Sequence, residues 1–193
     1  TFDTIIFNPP YLPNDNDFHD IALHGGKKGH EVIVRFLDAV GDYLSSDGFI
    51  LLLFSSLSGK DAINDSVQKN LFAYEQVAVK HLFFEDLFVY KITKQNIRKH
   101  LESKRLFNIK YLDKGQRGVV YTGTYPRATN RFKKVCIKIK NPLSSAIERI
   151  RNEAMWLKKI QSTNIAPKLL FESNDGTDVE VIGNNTYLCY EFV

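Results

Sequence analysis

Near the start of the chain, Asn8-Pro9-Pro10-Tyr11 bring together groups that could act on a flat nitrogen. The apolar run Ile5-Ile6-Phe7 reads as a strand, Phe2 to Asn8, that ends on this asparagine. An amide or aromatic amine nitrogen is a poor nucleophile because its lone pair is delocalised. It attacks a methyl sulfonium when two acceptors grip its two N–H groups, which tilts the nitrogen toward tetrahedral geometry and aims the lone pair at the methyl. Asn8 offers a side-chain carbonyl. Pro9 offers a backbone carbonyl whose place the rings fix, and Tyr11 can stack on the flat group. Such catalysis is positioning and electrostatics, with no strong base. The same residues are also a plain way to leave a strand, since proline cannot extend a ladder, with Tyr11 as a rim aromatic.

A second constellation lies further on. Gly115 and Gly118 sit in a turn between two strand-like runs, Lys138 sits in the apolar run "VCIKIK", and Glu153 sits on a following helical stretch. Each alone is ordinary: a hairpin with two glycines, a solvent-facing lysine, a solvated glutamate. In this order they fit a nucleotide clamp. A glycine-rich turn lets backbone N–H groups approach phosphates, and a lysine held by a glutamate pairs with them.

The elements that would position these groups differ between the halves. The first half alternates strand and helix. After the strand 2–8 and a polar loop from Pro13 to His24, "KKGHEVIVRFLDAVGDYL" carries Val32, Ile33, Phe36, Leu37, Val40 and Leu44 at helical spacing. "SSDG" then ends the helix, and "FILLLF" reads as a fully apolar strand of a parallel sheet. A second helix starts with Ser58 as N-cap, and "YEQVAVKHLFFEDLFVYKIT" reads as two antiparallel strands joined near Glu85-Asp86. The order β-α-β-α-β-β predicts an α/β sheet ending in an antiparallel pair, placing Asn8 at a carboxyl end, where open α/β folds bind ligands. Residues 95–105 read as a helical connector. Beyond it come three strands with tight turns, an amphipathic helix with Ile147, Ile150, Ala154, Leu157 and Ile160, and further strands in "PKLLFES", "VEVIG" and "TYLCYEFV".

The strand-then-NPPY arrangement resembles the signature of the S-adenosylmethionine-dependent amino-methyltransferases, which act on adenine, cytosine, guanine or glutamine nitrogens. "ALHGGKKGHEVIVRFL" resembles the stretch after NPPY in the HemK-like protein-glutamine methyltransferases, and the antiparallel pair is similar to the end of that fold's sheet. The resemblance covers residues 1–94, the later half of a Rossmann-like class I methyltransferase domain. It implies that Asn8 and Pro9 hold the target amide, that Tyr11 packs the site and that S-adenosyl-L-methionine is the cofactor. It also implies Gly-Gly-Gln loops of translation release factors as substrates and a small zinc-bearing activator as partner. The family's glycine-rich cofactor loop and its acidic ribose-binding residue mostly precede this point, and neither is present.

Residues 106–193 resemble the α+β N-terminal lobe of protein kinases, closest to small archaeal and RIO-like serine/threonine kinases. "KGQRGVVY" is similar to their loop, "VCIK" to their strand-three lysine motif and "RIRNEAMWL" to the helix with the glutamate. The resemblance implies ATP held by Gly115, Gly118, Lys138 and Glu153. Glu191 to Val193 would lead into the hinge that meets adenine, and magnesium would be held by residues outside this chain. Asp113 stands where the first loop glycine usually falls. The catalytic-loop and metal-binding aspartates would lie beyond Val193, so this chain alone should transfer no phosphate.

Composition bounds these readings. Of 193 residues, 44% are hydrophobic and 25% charged, as in a soluble globular protein. No apolar run is long enough to span a bilayer. Cys136 and Cys189 each lie in an apolar run and read as small core residues, and the absence of disulfide or zinc spacing fits the cytoplasm. The charge splits: residues 1–94 hold eight Lys/Arg and thirteen Asp/Glu, net −5, and residues 95–193 hold eighteen and nine, net +9. That predicts two units with different partners. A nucleic-acid methyltransferase with a basic docking or nucleotide-sensing module is the competing reading, which the acidic surroundings of Asn8 disfavour. His19, His24 and His30 read as solvated loop and helix-start residues. The chain opens inside a strand without an initiator Met and stops inside another, as expected of a fragment of a longer, two-enzyme polypeptide.

Overall fold

The computed structural model describes residues 1–14, 20–115, 118–126, 132–140, 147–163, 165–172 and 187–191. The chain forms two compact units, Thr1–Gln95 and Asn96–Val193. In the first unit, β1 (Phe2–Phe7) is followed by two short strands, β2 (Leu12–Pro13) and β3 (His24–Gly26). Then come α1 (Glu31–Val40), β4 (Leu44–Ser55), a 3₁₀ turn (Ser56–Ser58), α2 (Lys60–Lys69), β5 (Phe72–His81) and β6 (Asp86–Lys94). The main sheet runs β1-β4-β6-β5. β4 pairs parallel with β1, while β6 lies antiparallel between β4 and β5. β1, β4 and β5 therefore point the same way, and their carboxyl ends share one edge of the sheet.

Both helices cover the same face. Ile33, Leu37 and Val40 of α1 recur at helical spacing and are buried with Ile63 and Val67 of α2 against Ile50, Leu52, Phe54, Phe72, Tyr90 and Ile92. At about 25 cal/mol per Å² of apolar surface, this cluster is the main stabilising term of the unit. Phe54 and Tyr90 meet edge-on at 4.7 Å. Two expectations fail here. The helix ends at Val40 rather than reaching Leu44, because Leu44 pairs with Phe2 and opens β4, so "SSDG" lies within a strand. And "FILLLF" is not buried on both faces: Ile50, Leu52 and Phe54 are fully buried while Phe49, Leu51 and Leu53 are half-exposed.

The turn after β1 is held by a glycine cradle. Leu12 pairs with His24 and Pro13 with Gly26 in a short parallel ribbon. A Cβ on Gly25 would collide with the carbonyls of Gly29 and Pro10, and one on Gly29, at φ +87°, with the carbonyl of Tyr11. Both glycines are required by close backbone approach, and Gly29 also by its left-handed conformation. His30 sits beside Gly59, with its Nδ1 3.1 Å from the Ser58 carbonyl. Ser58 is not the N-cap of α2. Gly59 holds that position without a side-chain bond, and Ser55 instead caps the 3₁₀ turn in a capping box with Ser58.

The second unit begins with α3 (Asn96–Ser103) and continues with β7 (Phe107–Lys114), β8 (Gly118–Pro126), β9 (Phe132–Lys140), α4 (Ile147–Ile160), β10 (Leu169–Glu172) and β11 (Tyr187–Glu191). Its five strands form an antiparallel sheet in the order β10-β11-β9-β8-β7. Val135, Ile137, Ile139, Tyr121, Ala154 and Cys189 are buried. Burial, then the neighbouring Tyr111, pushes the Tyr121 phenol well above its usual range, and burial, then Cys136, holds the Cys189 thiol up at about 12. The expected strand "VEVIG", 179–183, lies outside the described residues.

Gly29→Ala should lower the stability of the first unit by about 1–3 kcal/mol, because strain and a backbone collision act together. Gly115, whose Cβ would meet only the Gly118 carbonyl among the described residues, at 3.9 Å, is the control: Ala there should change stability by no more than about 0.5 kcal/mol. Thermal melting of both variants beside the parent checks the pair.

Candidate functional site

β1 delivers Asn8 to the carboxyl edge of the sheet. Phe7 anchors the strand end by stacking on Phe36 of α1, with ring centroids 4.1 Å apart. Asn8 is exposed, Pro9 is buried, and Pro10 and Tyr11 are half-buried. Among the described residues, neither the Asn8 side chain nor the Pro9 carbonyl has a hydrogen-bond partner. The groups around them are tied down. The Tyr11 N–H donates to the Leu23 carbonyl at 3.1 Å, as does the Leu12 N–H at 3.0 Å. The Ser58 hydroxyl donates to the Tyr11 carbonyl at 2.8 Å. Tyr11 is thus held at both its N–H and its carbonyl, while the two acceptors have no partner among the described residues. Two fixed carbonyls with free lone pairs are what a primary amide needs to present its nitrogen.

The Tyr11 ring packs against the core cluster. Burial, then the carboxylate of Glu85, raises its pKa, so the phenol stays neutral. Glu31, at the start of α1, accepts from the Lys28 N–H at 2.9 Å. Burial alone would raise its pKa, but backbone N–H donors and His30 bring it below the usual carboxylate range. These bonds close the turn over Gly26, whose Cβ would strike the Glu31 side chain. His24 bonds within its own loop to Asp20. Among the described residues no group of three or more His, Cys, Asp or Glu could hold a metal, and no helix is long and apolar enough to cross a membrane.

A hollow of about 450 Å³ lies along β1 and α1, lined by Phe2, Thr4, Ile5, Phe36, Ala39, Val40 and Tyr43. Asn8 does not line it. No carboxylate does either, so it does not suit the ribose or the amino acid group of an adenosyl cofactor.

In the second unit the structure brings Lys138 and Glu153 together. β9 carries Lys138 opposite Val120 of β8 and Leu188 of β11, and its Nζ lies 2.5 Å from Glu153 Oε2 on α4. Both side chains are partly shielded, 24% and 34% exposed, so the pair is less screened than a surface ion pair. Gly115 and Gly118 close the β7–β8 turn through the Gly115 N–H and the Gly118 carbonyl at 2.9 Å. A Cβ on Gly118 would press on the Ile139 carbonyl at 2.8 Å. Asp113 accepts from the Lys114 N–H at 2.7 Å, stiffening the turn. Glu191 ends β11 and Val193 lies outside the described residues.

Residue types alone did not point to Ser58, Gly29 or the Leu23 carbonyl as holders of the turn. The one usable signal was the glycine spacing in "HGGKKGH". Ser58 lies 47 residues from Tyr11, and only the fold joins them.

No family model matches the chain. Over 93 residues it is 37% identical to a protein of Methanocaldococcus jannaschii named "Putative protein N5-glutamine methyltransferase MJ0928", covering 46% of this chain and 47% of that one. The solved Mtq2–Trm112 complex of E. cuniculi, responsible for methylation of the eRF1 translation termination factor, is 28% identical over 48% of this chain and 52% of that one. Its TM-score of 0.40 is too low to bear on the fold or the site. The chain spans about half the length of the curated relative it matches, and the likeness to that M. jannaschii protein is confined to that half.

Proposed function

We propose that the first unit is the substrate-holding half of a methyltransferase that acts on the side-chain amide of a protein glutamine. The supporting observation is the pair of acceptors, Asn8 and the Pro9 carbonyl, without hydrogen-bond partners among the described residues, beside Tyr11, whose N–H and carbonyl are both bonded. The length of the match to the M. jannaschii protein, 93 residues, is close to that of this 95-residue unit. The two acceptors take the two N–H groups of the amide, Tyr11 packs beside it, and the nitrogen lone pair is turned outward. As the nitrogen is alkylated its proton becomes acidic, so the unit needs to hold the geometry and not to supply a strong base. S-adenosylmethionine supplies the methyl group, and the described residues do not form its cradle. A release-factor Gly-Gly-Gln loop as substrate and a small zinc-binding activator as partner belong to this proposal.

The second unit reads as a nucleotide-binding, kinase-like lobe, a reading supported by the Lys138–Glu153 pair beneath a glycine turn. Lys138, paired with Glu153, meets the phosphates, and the backbone at Gly115 and Gly118 lets them come close. ATP fits this donor set. Magnesium would be held by residues outside this chain.

The methyl-transfer reading is tested by a chimera in which the aligned 93 residues of the M. jannaschii protein are replaced by those of this chain. It should transfer tritiated methyl from S-adenosylmethionine to a Gly-Gly-Gln peptide. Asn8→Ala should cut kcat about 10²–10³-fold with a smaller change in KM, as expected for loss of a group that positions the reacting atom. A parent chimera that folds, binds cofactor and transfers nothing sinks the reading. For the second unit, a fluorescent ATP analogue should bind the whole chain, and Lys138→Ala should weaken it about tenfold or more. Equal affinity in parent and variant would remove the clamp.

A further inference from the structure

The turn joining β5 to β6 carries an apolar and acidic tip that the core does not use. Phe83 and Phe84 are 91% and 83% exposed and stack edge-on with centroids 4.6 Å apart. Exposed aromatic pairs of this kind mark contact surfaces more often than they serve folding. The tip is not a loose end. The Leu82 N–H donates to the Glu85 carbonyl at 2.8 Å, and the Asp86 N–H donates to Ser56 Oγ at 3.1 Å. Asp86 is paired with His81 at 2.7 Å. Glu85 differs: one of its carboxylate oxygens is buried with no hydrogen-bond partner among the described residues, an acceptor the turn leaves unmet.

Sheet direction brings this tip to the NPPY turn. β5 runs parallel to β1 and β4, so His81, Ser55 and Phe7 end at the same edge. The 3₁₀ turn 56–58 bridges the two features, with Ser58 on Tyr11 and Ser56 on Asp86. The influence of Glu85 on the Tyr11 phenol reports the same closeness. The tip lies two to three strand spacings from β1, about 10–15 Å, which about three to five residues of extended peptide would cross.

We propose that the turn Leu82–Asp86 is a substrate-reading element of the NPPY site. It docks the peptide flank three to five residues from the glutamine, taking an apolar side chain on Phe83 and Phe84 and a lysine or arginine at Glu85. This rests on the methyltransferase reading for the identity of the glutamine. Charge favours a basic flank, since residues 1–94 carry a net −5.

Anisotropy of a labelled Gly-Gly-Gln peptide with a leucine and a lysine about four residues from the glutamine, titrated with the whole chain, tests the proposal. The double change Phe83→Ser, Phe84→Ser should weaken binding about tenfold or more without lowering the melting temperature, because both rings are exposed. Glu85→Gln should weaken the lysine peptide about threefold and leave a norleucine version unchanged. Tyr43→Ala, an exposed aromatic at the opposite edge of the sheet, should bind as the parent does. Equal affinity of parent and double variant, or no binding by the parent, overturns the proposal. The chimera separates the two ideas: methyl transfer that is indifferent to the double change removes the reading element and keeps the methyltransferase. Binding that depends on the turn without transfer by the chimera does the reverse.

Discussion

The hydrogen bond from the Ser58 hydroxyl to the Tyr11 carbonyl is the constraint on which the first unit's chemistry turns. A turn with two prolines has few backbone donors of its own, and its carbonyls would otherwise be free to reorient. Ser58 from one side and Leu23 from the other fix Tyr11. The pyrrolidine rings then leave Asn8 and the Pro9 carbonyl little freedom. Preorganised acceptors cost nothing further when a ligand arrives, which is why positioning can carry this kind of catalysis.

That one bond draws in much of the rest. Ser58 is placed by the capping box with Ser55, which closes β4. β4 is fixed by the core alternation of Ile50, Leu52 and Phe54. Gly25 and Gly29 allow the following segment to pass so close that no side chain fits between. Ser56, two residues earlier, carries the same turn to the β5–β6 hairpin. The apolar core, the glycine cradle and the hairpin tip thus meet at one edge of the sheet. The second unit uses a different device with a similar logic. There Lys138 is paired with Glu153, which ties one long side chain to a neighbouring element.

The chain's own residues divide the labour unevenly. In the proposed reading the first unit supplies acceptors for a planar nitrogen; the apolar hollow beside β1 has no carboxylate in its lining. The homology to the M. jannaschii protein covers 47% of that protein, in keeping with a substrate-holding part. The opposite net charges of the two halves are those expected of units with partners of different kinds.

Local pattern made most elements legible. Helical spacing of Ile33, Leu37 and Val40 specified α1, and the apolar runs specified β1, β4 and the β5–β6 pair. The motif residues Asn8, Pro9, Lys138 and Glu153 could be named because each rests on residue type and short-range order. Where α1 ends could not be read, because Leu44 satisfies a helical and a strand period alike and only its pairing with Phe2 decides. The exposure of Phe49, Leu51 and Leu53 was hidden for the same reason: an apolar run does not say how many faces of a sheet are covered. Ser58 looked like a helix cap because serine before a helix usually is one. Its true partner lies 47 residues away in sequence, as the Glu85 turn and Tyr11 lie far apart until β5 joins the sheet. Sequence alone thus determined which groups are available. Their meeting depended on long-range pairing, whose energy comes from burying a shared core and leaves no mark on any short stretch of the chain.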